Sequence, residues 1–263
     1  MHESDDATTL YEQGNIFAAA ASLQNRDILV IETHREKVLL NEYSSLMQDI
    51  DMLHSNTFMM VKECSGDLNN HFLQSFQFMV DHQKMMYKVK AKIDSKAETV
   101  AATIMLFSEY NQWFKLARPV VAKRTSENPP RQIICFEVWK NFPWMPYNQY
   151  AYLEIAKFHD AQKTYIVIKD ADREQISQYF GIKLSSIRSY FTLLRIGNIL
   201  IEVMEESTHA EKTNVSMSIS KHSTLHLVDY FYQHFILRSI FNFFQTLSAQ
   251  AWINTSKDGF RTV

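Results

Sequence analysis

The sequence predicts an α+β fold in which a curved antiparallel β-sheet wraps around a long C-terminal helix, preceded by an N-terminal helical extension. Three observations lead to this fold class. A strand period changes to a helix period within residues 85–114, short alternating segments follow, and a long, largely apolar segment at residues 225–252 predicts a final helix.

The chain divides into a helical arm at residues 1–66 and a main domain at residues 67–263. Residues 10–23 resemble a helical hairpin of the tetratricopeptide kind, but the sequence holds no second copy at a fixed period. We therefore favour a two-helix arm over a repeat array, packed on the main domain or on another protein. An amphipathic helix in the arm is indicated by an apolar stripe, formed by Leu39, Tyr43, Leu46, Met47, Ile50 and Leu53.

At the start of the main domain, the spacing of apolar residues changes from that of a strand to that of a helix. Tyr87, Val89 and Ile93 alternate with lysines, so this segment predicts a strand with one apolar and one charged face. Asp94 or Ser95 can cap the next segment, and Glu98, three residues after Ser95, has the spacing of a capping box. Apolar residues then recur at helical spacing up to Trp113. The sequence predicts a strand followed directly by a helix of about four turns.

The middle of the chain predicts several antiparallel strands. They lie near residues 76–80, 85–93, 118–124, 131–140, 149–158, 163–169 and 213–220. Between them, residues 174–182 predict a short helix that Gly181 ends, and the Gly197–Asn198 dipeptide predicts a tight hairpin turn between two strands.

Residues 225–252 form the predicted final helix. Its apolar residues occupy more than one stripe, so it must be covered on several sides. Polar residues such as Asp229, Arg238 and Asn242 interrupt it, which argues against a membrane span and favours burial across a curved sheet.

These segments resemble the START family (steroidogenic acute regulatory protein-related lipid transfer) within the helix-grip superfamily. The resemblance rests on residues 85–114, 138–158, 187–203 and 213–220 and spans roughly residues 70–251. The chain departs from the family at Asn148, Gln149 and Tyr150, which stand where an Arg-Asp-Phe triplet is usual. The resemblance implies an internal cavity that holds one hydrophobic molecule under the final helix as a lid.

Composition excludes some partners and indicates a compartment. The net charge of −2 and a pI near 6.6 give no electrostatic footprint for nucleic acid. Cys64 and Cys135 are far apart in sequence, which favours reduced thiols in a reducing compartment. The acidic, polar N-terminus lacks the features of a secretory or mitochondrial signal, so we expect a cytoplasmic protein.

A search for catalytic motifs finds none. The sequence holds no Gly-rich phosphate loop, nucleophile elbow or paired-cysteine spacing, so we expect no enzyme activity, cofactor or metal. His222 and His226 are four residues apart without the glutamate of a zinc-protease motif, and we interpret them as surface or capping residues. Glu202, Glu205 and Glu206 are interpreted as solvated.

Polar groups inside apolar strands are the candidate ligand-binding residues, because a buried ion needs a partner. Glu154 shares a strand face with Tyr150 and Tyr152 and stands where cholesterol-transferring START domains carry an arginine, and Arg188 is its candidate counter-ion. The alternative is that this face is an ordinary exposed sheet surface. The full candidate set is Glu137, Trp139, Tyr150, Tyr152, Glu154, Arg188, Tyr190, Phe231 and Phe235.

Three functions fit the sequence. The first is a lipid-binding or lipid-transfer module with one hydrophobic ligand in its cavity, peripheral membrane contact, and a protein partner for its N-terminal helices. The second is a non-catalytic interaction or structural subunit whose pocket is filled by its own side chains. The third is a cyclase- or hydrolase-type enzyme of the same fold, which needs an acid or base pair in the pocket.

Overall fold

The computed structural model of the protein describes most of the chain. The described residues are 3–24, 33–55, 59–62, 75–81, 84–113, 117–126, 131–138, 149–182, 195–206, 209–222 and 242–254.

The helices lie at both ends of the chain and between strands. They are α1 (Glu3–Glu12), α2 (Ile16–Gln24), α3 (His34–His54), α4 (Ala97–Met105), a 3-10 turn (Phe107–Glu109), α5 (Tyr110–Trp113), α6 (Arg173–Phe180) and α7 (242–254). Thus the described arm holds three helices, where the sequence predicted two.

The strands form one antiparallel sheet. They are β1 (Met59–Lys62), β2 (Ser75–Asp81), β3 (Lys84–Ile93), β4 (Ala117–Ser126), β5 (Arg131–Val138), β6 (Gln149–His159), β7 (Lys163–Asp170), β8 (Asn198–Glu206) and β9 (His209–His222). In the described residues their order is β1-β2-β3-β9-β8-β7-β6-β5-β4. The α+β class and the antiparallel sheet are therefore confirmed.

The sheet is covered on both sides. We call the side that packs on α4 and α7 the inner face and the side that packs on α1–α3 and α6 the outer face. The inner face is apolar across six strands, with side chains that include Val89, Ile134, Ile155, Ile166, Ile201 and Met217 packed in one cluster with Ile104 and Leu247.

Apolar side chains also line the outer face. Ile16 of α2 and Leu46 and Leu53 of α3 pack against Phe158 and Tyr165 of the sheet. Farther along, Ile176 of α6 packs against Ile133 and Cys135. The N-terminal helices therefore lie on the sheet. Strand β1 begins before residue 66, and the predicted domain boundary itself falls outside the described residues.

Local signals predicted some helix ends correctly. Helix α6 ends at Gly181, which adopts a left-handed conformation (φ 68°) as predicted. The capping box at Ser95 is wrong, because α4 begins after Lys96, which makes no side-chain cap. Ser95 is instead buried, and its carbonyl oxygen accepts a hydrogen bond of 2.5 Å from the Thr213 hydroxyl.

Two further expectations are corrected. The helix after β3 is not continuous, because Leu106 leaves the helical conformation (φ −85°, ψ 67°) and a 3-10 turn separates α4 from α5. The Gly197–Asn198 dipeptide does not form the predicted tight hairpin turn, because Asn198 already belongs to β8, whose two edges pair with β7 and β9. Residues 195–197 precede β8, and the amides of Ile196 and Gly197 each donate to the Asp170 carboxylate at 2.9 Å.

Across the described ranges, no helix combines the length and the apolar character needed to cross a bilayer.

Candidate ligand-binding site

The inner face is least tightly covered near one end of the sheet. Cross-strand pairing aligns Ile168 of β7, Ile199 of β8 and Ile219 of β9, which we call the isoleucine row. Ile168 and Ile219 are 9% and 7% exposed, and Ile199 is partly buried. In the next row inward, Ile166 and Ile201 are 0% and 1% exposed. Among the described inner-face residues of β7, β8 and β9, the isoleucine row is therefore the more exposed part.

Three aromatic rings occupy the margin of the inner face beside β4. The ring centroids of Phe107 and Tyr110 are 5.0 Å apart, and each lies 5.9 Å from that of Phe136. The Tyr110 hydroxyl donates to the Ile104 carbonyl oxygen at 2.6 Å, and burial raises the pKa of Tyr110. We call these three residues the aromatic cluster; the protein's own side chains fill this part of the interior.

Helix α7 is seated directly on the sheet. Phe244, Leu247 and Ala251 are fully buried in the inner-face cluster. At its end, the Asn254 side-chain amide donates to the Thr103 hydroxyl of α4 at 3.1 Å. The outer side of this helix carries Trp252, which is 64% exposed, next to the partly exposed Ile253.

The structure brings together four of the predicted site residues, but on the outer face. Glu137 lies opposite Tyr150 on neighbouring strands, and Tyr152 and Glu154 follow on the same side of β6. The predicted shared face is confirmed. The expected position of Glu154 in the cavity is corrected, because Leu153 and Ile155 are the β6 side chains that join the inner-face cluster.

Glu154 has partners other than the one expected. Its carboxylate lies 3.5 Å from the Arg131 guanidinium and accepts a hydrogen bond of 3.1 Å from the Gln175 side chain of α6. The expected counter-ion, Arg188, lies outside the described residues. So do four more members of the candidate set, which stay predictions: Trp139, Tyr190, Phe231 and Phe235.

The tyrosines beside Glu154 take part in outer-face packing. The Tyr152 ring contacts Phe180 of α6 edge-on, with centroids 5.1 Å apart. Burial raises the pKa of Tyr152, and the neighbouring Cys135 adds to that shift. Cys135 is a buried, free thiol, as predicted, and burial also raises the pKa of its thiol. Cys64 is not among the described residues.

The rest of the ion network around Arg131 was not predicted from the sequence, because its members are far apart along the chain. The Arg131 guanidinium pairs with Glu42 of α3 and donates to the Tyr11 hydroxyl of α1 at 2.6 Å. Burial lowers the pKa of Arg131, but Glu42, Tyr11 and Glu154 outweigh it and raise that pKa. Burial and Glu42 raise the pKa of Tyr11. These contacts join two arm helices to the sheet.

The interpretation of the β8 glutamates as solvated is wrong for two of them. Glu202 is only 4% exposed, and its carboxylate lies 3.0 Å from both His54 Nε2 and Lys163 Nζ. Glu206 pairs with Lys92 at 2.5 Å. Glu205, between them, is exposed. The sequence shows charges on a strand, but the helix that covers them is distant along the chain.

The arm also contains a small open cleft between α1 and α3. Its volume is about 140 Å³. The lining residues are Thr8, Tyr11, Glu12, His34, Arg35, Glu36, Val38 and Leu39. No set of three or more His, Cys, Asp or Glu side chains in the described part of the chain is arranged to hold a metal ion.

Comparison of the sequence with protein-family models and with curated proteins finds no match. Comparison of the structure does find similar folds. Human StAR-related lipid transfer protein 5 superposes with a TM-score of 0.58 at 9% identity, covering 80% of this chain and 94% of that one. Human STARD10 superposes with a TM-score of 0.56 at 8% identity, covering 92% and 89%.

A bacterial structure, the STAR-related lipid transfer protein of Xanthomonas axonopodis, gives a TM-score of 0.54 at 8% identity. It covers 74% of this chain and 99% of that one. Similarity at this level of identity concerns architecture, and all three matches extend over most of both chains. The chain therefore has the START-like helix-grip fold.

Proposed function

We propose that the protein binds one lipid in an internal cavity between the inner face of the sheet and the final helix, without catalysing a reaction. The observation that carries this proposal is the apolar inner face, which is continuous across β3, β5, β6, β7, β8 and β9. Its least covered part, the isoleucine row, offers a hydrocarbon floor.

Apolar burial supplies the affinity. Each Å² of apolar surface removed from water contributes about 25 cal/mol, so a hydrocarbon chain against Ile168, Ile199 and Ile219 gains most of its binding energy from this wall. Phe231 and Phe235 stay in the proposed lining, because they precede α7 on the same predicted helix. Movement of that helix as a lid would admit and release the ligand.

Loading from a membrane surface is part of the same proposal. Trp252 and Ile253 project from the end of α7 with 64% and 40% of their surface exposed. Tryptophan suits the boundary between water and lipid because its ring is apolar and its N–H is polar. A cytoplasmic location and a protein partner at the arm, for which the cleft beside Val38 offers space, complete the proposal.

A second candidate function has its own support. The aromatic cluster and the seating of Phe244 and Leu247 fill part of the interior with protein side chains. If such filling extends along the whole inner face, the protein is an interaction subunit with a solid core.

Native mass spectrometry of the purified protein separates these functions. We expect one lipid molecule per protein chain, either retained from expression or taken up from mixed phospholipid and sterol vesicles. A protein that stays empty after incubation with such vesicles would favour the interaction subunit.

Substitution on the two faces of β7 locates the cavity. Ile168→Phe adds bulk on the inner face and should weaken lipid binding about tenfold or more, since overpacking costs about 1–3 kcal/mol. Val167→Phe adds bulk at the next residue, which packs on the outer face. It should reduce stability but leave the affinity of the folded protein unchanged. Equal affinities for the two variants would contradict an inner-face cavity.

A further inference from the structure

We propose that residues 195–197, which we call the gate segment, close one end of the inner face, and that the Asp170 carboxylate holds them closed. Asp170 thereby sets the rates at which a lipid enters and leaves. This inference rests on the proposed function, because it concerns the same cavity. The final helix and the gate segment both pack on the inner-face cluster, and ligand exchange requires both to move.

The inner face becomes more exposed toward the end of the sheet at which β7 ends and β8 begins. Ile166 is 0% exposed, whereas Ile168, two residues nearer to that end, is 9% exposed. Asp170, the last residue of β7, is partly buried and lies on the same side of the strand, since side chains alternate. At about 3.3 Å per residue, Asp170 lies roughly 7 Å beyond Ile168. A ligand on the isoleucine row therefore lies next to this end of the sheet.

The gate segment turns toward the inner face at Gly197, which has a positive φ of 98° that glycine adopts without strain. The next residue, Asn198, points to the outer face, where its side-chain amide donates to Asp49 of α3 at 2.7 Å. In a regular strand Ile196 would share that outer side with Asn198. Its side chain is instead partly buried and packs against the inner-face cluster. The turn thus places Ile196 at the rim of the inner face.

Asp170 holds the gate segment by its backbone. Oδ1 accepts a hydrogen bond from the Ile196 amide and Oδ2 accepts one from the Gly197 amide, each at 2.9 Å. The Asp170 amide donates to the Gly197 carbonyl oxygen at 3.2 Å, and the Arg195 guanidinium donates to the Ala171 carbonyl oxygen at 3.0 Å. Because hydrogen bonds to an ionised acceptor are stronger than neutral ones, the carboxylate contributes a large part of what keeps Ile196 in place.

The gate segment can open without loss of the sheet. Ile196 and Gly197 precede β8, so the release of their bonds to Asp170 leaves the register of β7 with β8 and of β8 with β9 intact. Opening moves the Ile196 side chain away from the rim, and entry and exit of the ligand need this movement equally. A change in the opening equilibrium therefore alters both rates by the same factor and leaves the dissociation constant unchanged.

Asp170→Asn tests the gate. It keeps the size of the side chain but replaces one acceptor oxygen by an NH2 group, which cannot accept a hydrogen bond from a backbone amide. Stopped-flow fluorescence with vesicles that contain a fluorescent sterol and a pyrene-labelled phospholipid measures uptake, and dilution of the loaded protein into unlabelled vesicles measures release. Both rates should rise about tenfold, the equivalent of about 1.4 kcal/mol in the opening equilibrium, at an unchanged dissociation constant.

The matched control is Asp172→Ala. The Asp172 carboxylate also accepts a backbone amide hydrogen bond, from Gln175 at 2.7 Å, but it caps α6 and does not contact the gate segment. This variant should lose stability and keep the wild-type rates. Ile196→Ala shortens the gate side chain without removing a hydrogen bond and should also raise both rates, so it carries the test if Asp170→Asn does not fold.

The outcomes separate the two proposals. A folded Asp170→Asn protein with the wild-type uptake and release rates overturns the gate and leaves lipid binding intact, because a merely structural role for Asp170 lowers stability alone. A change in the release rate without a matching change in uptake also overturns it. A wild-type protein that takes up neither labelled lipid overturns both the gate and the proposed function.

Discussion

In the described part of the chain, Glu202 and Arg131 each join an arm helix to the sheet. Each is surrounded by groups from different elements: Glu202 by His54 of α3 and Lys163 of β7, and Arg131 by Glu42 of α3 together with Glu154 of β6. Pairs of this kind offset the desolvation cost of both ions only while every partner is in place.

Removal of the Glu202 carboxylate should therefore reduce the stability of the folded protein. Glu202→Ala leaves the partly exposed Lys163 without its carboxylate and should lower the free energy of unfolding by about 1.5–3 kcal/mol, the usual contribution of hydrogen bonds to a charged group. Urea denaturation measures this change. Glu205→Ala is the matched control, because Glu205 lies on the same strand but is exposed. Its effect should stay within about 0.5 kcal/mol, and equal losses for both variants would contradict the buried pairing.

At the residue scale, the sequence predicts which side chains share a face but not which helix covers them. Alternation along β6 correctly groups Tyr150, Tyr152 and Glu154. The inner face could not be identified because β6 is buried on both sides: Tyr152 and Leu153 are neighbours, and both are buried. A strand covered on both sides lacks the polarity difference that marks a solvent face.

Among the elements, the turn between α1 and α2 has a specific contact with the sheet. Gly14 adopts a positive φ of 85°, and its carbonyl oxygen accepts a hydrogen bond of 3.0 Å from the His159 amide at the end of β6. A Cβ atom at Gly14 would lie 3.3 Å from His159 Nδ1 and 3.4 Å from the Lys157 carbonyl oxygen. The hairpin of α1 and α2 thus contacts the sheet through a backbone hydrogen bond.

Gly14→Ala should weaken the contact between the arm and the sheet. A left-handed conformation alone costs a non-glycine residue about 1–2 kcal/mol. Gly181→Ala provides that baseline, because Gly181 also has positive φ but has open space where the Cβ would lie. The loss of unfolding free energy in urea should be larger for Gly14→Ala. If the two variants lose equal free energy of unfolding, the close approach of residue 14 to His159 does not contribute to stability.

The strands were more predictable than the helix ends. Alternation of apolar and charged residues located β3, because neighbouring side chains of a strand face opposite environments. The capping box at Ser95 failed because the chain bends there, with the Ser95 amide bonded to Ile93 and the Ser95 carbonyl oxygen bonded to a distant residue, Thr213. Local patterns cannot show competition from residues more than a hundred positions away.

At the scale of the whole molecule, buried tyrosines make the fold sensitive to alkali. Burial raises the pKa of tyrosines on both faces of the sheet, with smaller contributions from Glu42, Cys135 and Glu202 at three of them. They are Tyr11, Tyr110, Tyr152 and Tyr165. A raised pKa means that the folded state holds the proton more tightly than the unfolded state does. The resulting contribution to the free energy of unfolding is fully present below about pH 10 and is lost as the pH rises further.

The free energy of unfolding should therefore fall as the pH rises from about 10 through 11. Urea denaturation across this range, together with tyrosinate absorbance, measures the effect. Lys88 acts in the opposite direction, because burial and then Lys90 lower its pKa, but it is one group against four tyrosines. Tyr110→Phe removes one titrating hydroxyl and should flatten the curve; a wild-type curve without slope would contradict the burial.

In the described part of the chain, β4 is the last strand in the sheet order and pairs on one side, with β5. An edge of this kind offers free backbone groups to any other chain, and Val120 and Val121 add exposed apolar surface to it. Pro119 has no amide hydrogen to donate, and the pairing of β4 with β5 is irregular beside Pro119 and again beside Arg124. The strand is therefore a poor template for a tenth one, which protects concentrated protein against self-association along this margin.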